Sequence, residues 1–436
     1  MLETPRMKRP VINIAPFILA AIAICLAIAP AARGAIWYVD DNAPGDPAPH
    51  TPGIGDPAEN GSHAGPFDAI QEAIDAASDG DTIIVLDGTY TGSGNRNINF
   101  NGKAVGLCSQ NGPDNCVIDC RGSEEDLRRG FFFHNGEDER AVVAGFTITG
   151  GYHLEGAAIA CRDSSPTIMN NIIAGNRAEI DGGGIYCTGA TPVVVNNTLT
   201  GNTAARRGGG IACDESFAIV TGSIVWANAA EDGPQIALWS SRGGAPSVSV
   251  SYCDVAGGQR GAFMDEGCTL EWAGNNLDVD PLFAAPGGRY DNGTPHDASD
   301  DVWLAGDYHL KSTRGRWDRV ANGGAGGWVN DHAASPCVDA GDPTSDYSNE
   351  PQPNGFRVNI GAYANTAHAS RSVGWKTPGD ADGNAKVDEN DMIFVRGRLN
   401  RNTDAEDNWK ADLNKDGKIN ILDIIMVRNK MQRRHQ

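Results

Sequence analysis

The sequence predicts a mainly β protein: a parallel β-helix with a helix over its N-terminal end, followed by a small α-helical domain that binds calcium. Two internal repeats carry this prediction. Short segments recur at a nearly constant step between positions 140 and 260, and two acidic loops repeat each other near the C-terminus. The 55 glycines and the low aromatic content of 7% agree with many turns and short strands.

The N-terminal segment has the pattern of a secretory signal peptide. Basic residues up to Arg9 precede an apolar run over 11–29, and small residues follow up to Ala35. We therefore predict that residues 1–35 are removed on export, which places the mature chain outside the cell or on its surface. The alternative is an uncleaved membrane anchor, although Pro16 interrupts the apolar run.

The overall charge excludes two classes of partner. The formal net charge is −21 at pH 7, so the chain repels nucleic acid and acidic membrane surfaces. No second segment is long and apolar enough to span a bilayer. We predict no nucleic-acid partner and no membrane insertion after signal cleavage.

The predicted β-helix domain, 36–373, begins with a strand and a capping helix. Ile36–Asp40 has the composition of a short strand, and apolar residues recur at helical spacing from Phe67 to Ala77. The first coil of a β-helix exposes its apolar interior and unpaired strand edges. We expect the helix to cover them.

The middle of the chain repeats one unit. G-A-A-I-A-C at 156–161 recurs as G-G-G-I-Y-C at 182–187 and as G-G-G-I-A-C at 208–213. N-N-I-I-A-G-N at 170–176 recurs as N-N-T-L-T-G-N at 196–202, which is the same step along the chain. A unit this short cannot bury its own apolar face, so neighbouring units must stack as strands about 4.8 Å apart.

Stacking at this step aligns equivalent residues in ladders. The predicted inward ladders are Ile159–Ile185–Ile211–Ile236, Cys161–Cys187–Cys213, Ile168–Val194–Val220 and Ile148–Ile173–Leu199–Val225. Asn176, Asn202 and Asn228 are predicted to form a further ladder at a turn, where each side-chain amide bonds to the next coil.

The cysteines leave alternatives open. Stacked inward thiols are more often small core residues than a metal site or a bridge between coils. Disulfides are compatible with export, and Cys108, Cys116 and Cys120, or Cys253 and Cys268, are close enough in sequence to form one. The connectivity cannot be read from spacing alone.

The period is lost over residues 260–370. Several short segments there have strand-like composition and are separated by long loops, and we predict that they are the last coils with extended turns. These segments are 278–283, 307–310, 335–342 and 358–363. A linker, 374–379, is predicted to join the β-helix to the C-terminal domain, 380–436.

The two C-terminal loops have the ligand spacing of calcium sites. D-A-D-G-N-A-K-V-D-E-N-D runs from Asp380 to Asp391, and D-L-N-K-D-G-K-I-N-I-L-D runs from Asp412 to Asp423. Oxygens at loop positions 1, 3, 5, 9 and 12 can surround one hard cation. Two such loops in register, each followed by an apolar segment, indicate a pair of Ca²⁺ sites.

This C-terminal segment resembles a type I dockerin. The resemblance implies two loop–helix motifs that order on binding two Ca²⁺ ions, and a partner that carries a cohesin on a scaffold or surface protein. By position it implies ten ligands: Asp380, Asp382, Asn384, Asp388, Asp391, Asp412, Asn414, Asp416, Asn420 and Asp423.

The segment departs from the dockerin pattern in two places. Ala385 stands at loop position 6, where glycine eases the sharp turn, so we expect weaker calcium binding by the first loop. The positions at which the family commonly sets partner choice hold Glu389-Asn390 in one half and Ile421-Leu422 in the other. The halves are therefore not interchangeable, and the second offers an apolar contact.

The repeated units resemble the right-handed parallel β-helix proteins that bacteria secrete, with pectate-lyase-like architecture. Their glycine corners and N-N segments also resemble polymorphic outer-membrane adhesins. The resemblance implies the fold and not the activity, because this architecture serves polysaccharide lyases, glycoside hydrolases, esterases and adhesins.

Seven carboxylates on or near the coils are candidates for chemistry: Asp119, Glu155, Asp163, Glu179, Asp181, Asp214 and Glu215. Four residues are selected, namely two of these carboxylates and two arginines. Asp181 and Asp214 lie near the G-G-G-I strands of adjacent coils, and a glycosidase needs two carboxylates within about 5–10 Å. Arg206 and Arg207, in the loop between these coils, could contact an anionic sugar. The alternative is that all four are solvated turn residues.

Two hypotheses of function follow. The first is an exported polysaccharide-binding protein, anchored by a calcium-dependent dockerin–cohesin interaction; degradation of the polysaccharide, by a lyase or a glycoside hydrolase reaction, stays open. The second is a non-catalytic cell-surface adhesin or structural protein.

Overall fold

The computed structural model describes residues 34–41, 59–290, 302–355, 357–372, 381, 388–401, 411, 413 and 418–433. The predicted signal peptide therefore lies almost wholly outside the described residues. Among these residues, no helix has the length and apolar character needed to cross a membrane. The main part is a parallel β-helix of about 7 turns.

Three long parallel sheets run along the β-helix. Sheet 1 has 9 strands: Ile36–Val39, Thr82–Val85, Gly106–Ser109, Val142–Ala144, Thr167–Met169, Val193–Val195, Ile219–Thr221, Ser247–Ser251 and Thr269–Trp272. Sheet 2 has 7 strands: Gly88–Tyr90, Cys116–Asp119, Thr147–Thr149, Ile172–Ala174, Thr198–Thr200, Ile224–Trp226 and Asp254–Val255. Sheet 3 has 6 strands: Phe131–Phe133, Ile159–Arg162, Ile185–Thr188, Ile211–Asp214, Ile236–Trp239 and Phe263–Met264. Sheet 4, of 3 short strands, follows sheet 2 within a coil: Tyr152–Glu155, Arg177–Asp181 and Thr203–Ala204.

The predicted apolar ladders are confirmed. Ile159 pairs with Ile185, and the same row continues through Ile211 to Ile236. The two other aliphatic ladders pair in the predicted register and are fully buried. The cysteine ladder is also in place and continues into Leu238. None of the 9 cysteines in the described part of the chain forms a disulfide, so neither of the two possible bridges is present there.

Buried asparagines connect the coils at two turns. In the predicted ladder, the Asn176 main-chain N–H donates to Asn202 Oδ1 at 3.1 Å, and that of Asn202 donates to Asn228 Oδ1 at 3.0 Å. A second ladder, at the turn from sheet 1 to sheet 2, links Asn171 to Asn197 at 2.9 Å. This second ladder was not predicted, although both residues belong to the repeated N-N motif.

Glycine is required at the corner before sheet 3. Gly182 has a φ of 71°, which residues with a Cβ rarely adopt. A Cβ at the next residue, Gly183, would lie 2.4 Å from the main-chain oxygen of Thr203 on the following coil. The G-G-G run therefore combines a left-handed turn with close contact between coils.

The predicted capping helix is present as α1, Ile70–Ala76. Its residues Ile70, Ala73 and Ile74 are buried and join the main core of the β-helix. The helix contacts the first two strands of sheet 1. It therefore covers the N-terminal end of the core, as the apolar spacing indicated.

The prediction of further coils over residues 260–370 holds only at its start, where Phe263–Met264 and Thr269–Trp272 extend sheets 3 and 1, and is wrong for the rest. Sheet 1 ends at Thr269–Trp272, and the strands that follow pair in antiparallel hairpins. The three pairs are Phe283–Ala285 with Asp307–Leu310, Gly288–Tyr290 with Val302–Leu304, and Arg316–Asp318 with Gly327–Val329. A short helical turn spans Ala321–Gly324. Segments 335–342 and 358–363 contain no strand.

This cover segment, the described residues of 283–372, packs on the outside of sheet 2. Ile172 and Ile224 point out from the coils and are buried against its residues, among them Tyr308 and Ile360. Outward apolar side chains on sheet 2 need such a cover, because an exposed apolar face is unfavourable in water. The chain therefore turns back along the β-helix after residue 272 and does not lengthen it.

Two helices follow near the C-terminus: α2, Glu389–Arg396, and α3, Ile421–Arg433. They contact each other around a small core that includes Val395, Ile424 and Val427. The main-chain N–H of Asn400 donates to the oxygen of Ile419 at 2.9 Å. The two loop–helix motifs thus pack as a pair.

Candidate functional site

A charged surface lies over sheet 4 and the ends of the sheet 3 strands. The middle outward positions of sheet 3 carry aromatic and alanine side chains, and the arginines and carboxylates surround them. The outside of sheet 2 is covered, and that of sheet 1 carries apolar side chains such as Val142 and Met169. We call this surface the charged face and define it by Arg129, Glu155, Arg162, Asp181, Arg206, Arg207, Asp214 and Asp232.

Asp181 and Arg206 form the central pair of this face. Arg206 Nε donates to Asp181 Oδ1 at 3.0 Å, and its Nη2 donates to the other carboxylate oxygen. The hydrogen bonds that Arg206 donates to this carboxylate raise the pKa of Arg206. Asp181 is only 1% exposed, while Arg206 is 49% exposed. Arg206 can therefore contact a ligand, and Asp181 holds it in place from below.

Glu155 is the neighbour of Asp181 on the preceding coil. The two residues are register partners in sheet 4. Burial, together with the nearby Asp181 carboxylate, raises the pKa of Glu155, although Arg162 lies 3.7 Å away and acts in the opposite direction. Two carboxylates with different surroundings thus lie side by side, which is the arrangement that separates an acid role from a base role.

The Arg207 guanidinium packs over two aromatic rings. Its guanidinium carbon lies 5.0 Å from the ring centre of Trp239 and 5.1 Å from that of Phe263. Its Nε lies 3.8 Å from Asp232 Oδ2. Trp239 itself is buried, so the polar guanidinium and not the ring faces solvent. Cation–π contact holds the guanidinium in a fixed position.

Asp214 does not meet Asp181. It pairs in register with Thr188, at the far end of the sheet 3 strand that Asp181 precedes. Its carboxylate accepts hydrogen bonds from the main-chain N–H and the hydroxyl of Ser241, at 2.9 Å and 2.7 Å. The two aspartates do not lie close together, because Asp181 precedes a sheet 3 strand whereas Asp214 is the last residue of one. The structure brings Glu155, not Asp214, beside Asp181.

A buried layer lies beneath the charges. Burial, followed by the carboxylates of Glu155, Asp214 and Asp181, raises the pKa of Tyr186 well above its usual range. Burial and the neighbouring Arg129 lower the pKa of His153 to about 4. At neutral pH both side chains are uncharged, so the arginines and carboxylates alone set the charge of the surface.

The C-terminal loops are described only in part. The predicted ligands Asp380, Asp382, Asn384, Asp412, Asn414 and Asp416 lie outside the described residues. The four others begin α2 and α3. Asp388 accepts from the N–H of Asn390 at 2.8 Å, and the N–H of Asp388 donates to Asp391 at 2.7 Å.

The second motif repeats this arrangement. Asn420 Oδ1 accepts from the N–H of Leu422 at 2.8 Å, and the N–H of Asn420 donates to Asp423 at 2.9 Å. Asp391 and Asp423, at position 12 of the two loops, are both fully buried. A buried carboxylate at this position suits a bound cation, because it supplies charge and oxygens away from water.

Comparison with known families decides the identity of this unit. Residues 378–432 match the dockerin type I domain family. The C-terminal unit is a type I dockerin domain. Type I dockerins bind calcium and a cohesin, and dockerin proteins are extracellular components of cellulosomes. Comparisons with curated proteins and with solved structures gave no match.

The dockerin exposes apolar side chains on both helices. Ile421, Leu422 and Ile425 on α3 are 42–60% exposed. On α2 the equivalent of Ile425, Ile393, is also exposed, but the equivalents of Ile421 and Leu422 are Glu389 and Asn390. The apolar surface is therefore larger on the second half, as the loop sequences suggest.

Only part of the charged face was predicted from the sequence. Asp181, Asp214, Arg206 and Arg207 were selected, Glu155 was among the candidate carboxylates but was not selected, and Arg129 and Arg162 were not considered. The repeat itself held the signal. One repeat step leads from Glu155 to Asp181, and an equal step leads from Asp181 to Arg207, which is the row that the structure aligns.

Proposed function

We propose that this protein is an exported, dockerin-anchored polysaccharide-binding protein, and that its charged face holds the glycan. The observation that carries the proposal is the fixed set of arginine–carboxylate pairs over sheet 4 and the ends of the sheet 3 strands. Sugar hydroxyls both donate and accept hydrogen bonds. A surface with guanidinium donors and carboxylate acceptors held in place by one another can therefore bind them without rearranging.

The charge balance of the face favours a neutral polysaccharide. Arg206 is paired with Asp181, Arg207 with Asp232, and Arg162 with Glu155. Local positive charge is largely compensated, and the whole chain carries −21. A polyanionic glycan would meet net repulsion at long range. We therefore propose a neutral glycan in place of the anionic sugar that was predicted for Arg206 and Arg207.

The dockerin supplies the attachment. We propose the full set of ten loop residues as ligands of two Ca²⁺ ions, and the apolar surface of Ile421 and Leu422 as the main contact for the cohesin. Apolar side chains that are exposed in the free domain gain most from burial at an interface. The predicted signal peptide, 1–35, and the domain limits at 36–373 and 380–436 complete this proposal.

Glycoside hydrolysis is the second candidate function. Its support is the pair of Glu155 and Asp181 on neighbouring coils, with the raised pKa of Glu155 suited to a general acid. Asp181 is buried and paired with Arg206, so its role would be to help keep Glu155 protonated and not to contact the sugar. An adhesin or structural role is the third possibility, and it requires no cleavage.

A glycan panel tests the proposal. Full-length protein is assayed for retention on neutral and anionic polysaccharides and for release of reducing sugar. We expect retention on at least one neutral glycan, and weaker retention for Arg206→Gln by about tenfold, the loss of roughly 1.4 kcal/mol. Arg140→Gln is the matched control, because Arg140 forms an exposed pair with Asp138 on the turn before sheet 1.

The outcomes separate the three functions. Retention without product supports binding alone, while product that disappears in Glu155→Gln supports hydrolysis. No retention of the wild type on any glycan of the panel, or equal retention of Arg206→Gln and wild type, contradicts the proposed binding face.

A further inference from the structure

Three side chains from distant parts of the chain converge beside the cover segment. Asp114 lies in the turn between sheet 1 and sheet 2, His309 in the strand Asp307–Leu310, and His368 in the loop near the end of the cover segment. One potential ligand atom of each lies within 4.8 Å of the others. From these contacts we propose a zinc-class metal site formed by Asp114, His309 and His368.

A hydrogen bond at Nδ1 of His309 leaves its Nε2 available as a metal ligand. Its Nδ1 lies 2.7 Å from Asp307 Oδ1, and an ionised carboxylate can only accept, so this nitrogen carries the proton. In the neutral ring, Nε2 then presents a lone pair. Metal-bound histidines commonly donate their second N–H to a carboxylate in this way. Arg316 in turn donates to Asp307 at 2.9 Å and fixes its orientation.

The atoms that face one another lack hydrogen bonds. His309 Nε2 and Asp114 Oδ2 are both buried and have no hydrogen-bond partner among the described residues, and they lie 3.5 Å apart. His309 is only 2% exposed. Two lone pairs at this distance repel each other unless a cation or a proton lies between them. In tetrahedral zinc sites the ligand atoms are about 3.3 Å apart, which is close to this separation.

The remaining contacts hold the three side chains in position. Asp114 Oδ1 accepts from the hydroxyl of Tyr363 at 2.6 Å, which leaves Oδ2 for another partner. The His309 ring stacks on Tyr363 with centroids 3.7 Å apart. The His368 ring stacks on Trp317 at 4.6 Å. His368 is half-buried at the rim, so it has room to close the remaining distance.

The ligand set selects the type of metal. Two imidazole nitrogens and one carboxylate suit Zn²⁺ and related first-row ions, whereas Ca²⁺ takes oxygen ligands. The site is therefore chemically distinct from the dockerin loops. Three protein ligands leave a fourth position for water.

Such an ion would fasten the cover segment to the coils. Asp114 belongs to the β-helix, and both histidines belong to the cover segment. The ion would bind only when the two parts are packed together, so its binding free energy would add to the stability of that contact.

Zinc titration of the full chain tests the site. The protein is stripped with chelator and returned to excess Ca²⁺, which loads the dockerin. Bound Zn²⁺ is then measured by calorimetry and elemental analysis, and Co²⁺ is used as a spectroscopic probe. We expect one Zn²⁺ per chain, visible Co²⁺ absorption typical of tetrahedral coordination, and a higher unfolding temperature with zinc.

Variants connect the binding to these residues. Asp114→Asn and His368→Gln should weaken zinc affinity more than Asp307→Asn, for which we expect about 10–100-fold, the usual cost of losing an outer-sphere partner. His332→Gln, an exposed histidine of the same segment, is the control and should bind as the wild type does. Circular dichroism checks that each variant is folded.

Two results would overturn the proposal. One is a wild-type chain that retains no zinc in excess calcium. The contact between His309 and Asp114 would then be explained by a proton between them. The other is zinc binding that is unchanged in both His368→Gln and Asp114→Asn. Since His368 lies at the rim, its variant remains informative even if substitution of His309 prevents folding.

Discussion

Asn202 connects three neighbouring coils through one buried side chain. Its Oδ1 accepts from the N–H of Asn176, and its Nδ2 donates to the oxygen of Ile173 at 2.8 Å and to Asn228 Oδ1 at 3.0 Å. Main-chain groups at a buried turn have no water to bond with. The side chain thus replaces the hydrogen bonds that the turn itself cannot make.

We expect Asn202→Ala to reduce the free energy of unfolding by about 3 kcal/mol or more, because it leaves several buried polar groups without partners and each costs about 1–3 kcal/mol. Urea denaturation monitored by circular dichroism measures the change. Asn111→Ala, at an exposed position, should change it by less than about 0.5 kcal/mol. Equal effects of the two variants would contradict the role of the ladder.

Glu350 is a buried acid whose protonation we expect to affect stability. Its Oε1 accepts from the N–H groups of Asn359 and Asn365 at 2.9 Å and 3.0 Å, while Oε2 is buried and forms no hydrogen bond within the part of the chain that the structure describes. Burial raises the pKa of Glu350 to about 8. The folded state therefore holds this proton more tightly than the unfolded chain, whose glutamate has a pKa near 4.5.

The stability that Glu350 contributes should decrease as the pH rises. Glu350 contributes stability that is complete below about pH 4.5 and is lost as the pH rises through about 8. Glutamine mimics the neutral form, so Glu350→Gln should match the wild type at pH 4.5 and exceed it in stability at pH 8.5. Denaturation at the two pH values measures this difference, with the exposed Glu139→Gln as control. A variant that is equally destabilised at both would show that the acid is not protonated in the fold.

At the scale of elements, each dockerin helix begins on a pair of predicted calcium ligands. Asp388 with Asp391, and Asn420 with Asp423, cap the first turns of α2 and α3. The same oxygens that stabilise a helix N-terminus are those that the loop would offer to an ion. Helix formation and calcium binding are therefore expected to be coupled.

Calorimetry of the full chain should show two Ca²⁺ per molecule with unequal affinities. The first loop should bind more weakly, because Ala385 replaces the glycine that eases the turn. Asp391→Asn should remove the weaker event and Asp423→Asn the tighter one, since each takes charge from position 12 of its loop. Glu389→Gln is the control, as Glu389 is not a predicted ligand. A single event, or two that persist in both variants, would contradict the assignment.

At the scale of the whole molecule, attachment and glycan binding belong to different parts of the chain. We expect cohesin recognition to require the calcium-loaded dockerin, whereas the proposed glycan surface is held by strands and ion pairs of the β-helix. The β-helix core includes no calcium loop among the residues described. Removal of calcium should therefore affect one function and not the other.

Chelation should abolish capture by type I cohesins and leave retention on the neutral glycan within about twofold. Both are measured on the full-length protein, in pull-down and in affinity electrophoresis, with and without added Ca²⁺. The double substitution of Ile421 and Leu422 by Asp should also abolish capture without affecting the glycan. Loss of both functions on chelation would show that the glycan surface depends on calcium as well.

The sequence alone was sufficient for everything that repeats at a fixed step. The inward ladders, the Asn176–Asn202–Asn228 row and the paired loop–helix motifs follow from two constant periods, because stacked or twinned units place equivalent residues in equivalent surroundings. The row of Glu155, Asp181 and Arg207 also follows from the repeat step, although it was not predicted.

Only the tertiary structure decided what lies against the outside of the coils. The cover segment has no period, and nothing local indicates that its hairpins turn back onto sheet 2. Asp114 and His309 are far apart in sequence and meet only because that segment folds over the coils. Contacts between a regular body and an irregular segment depend on shape and burial, which no spacing along the chain records.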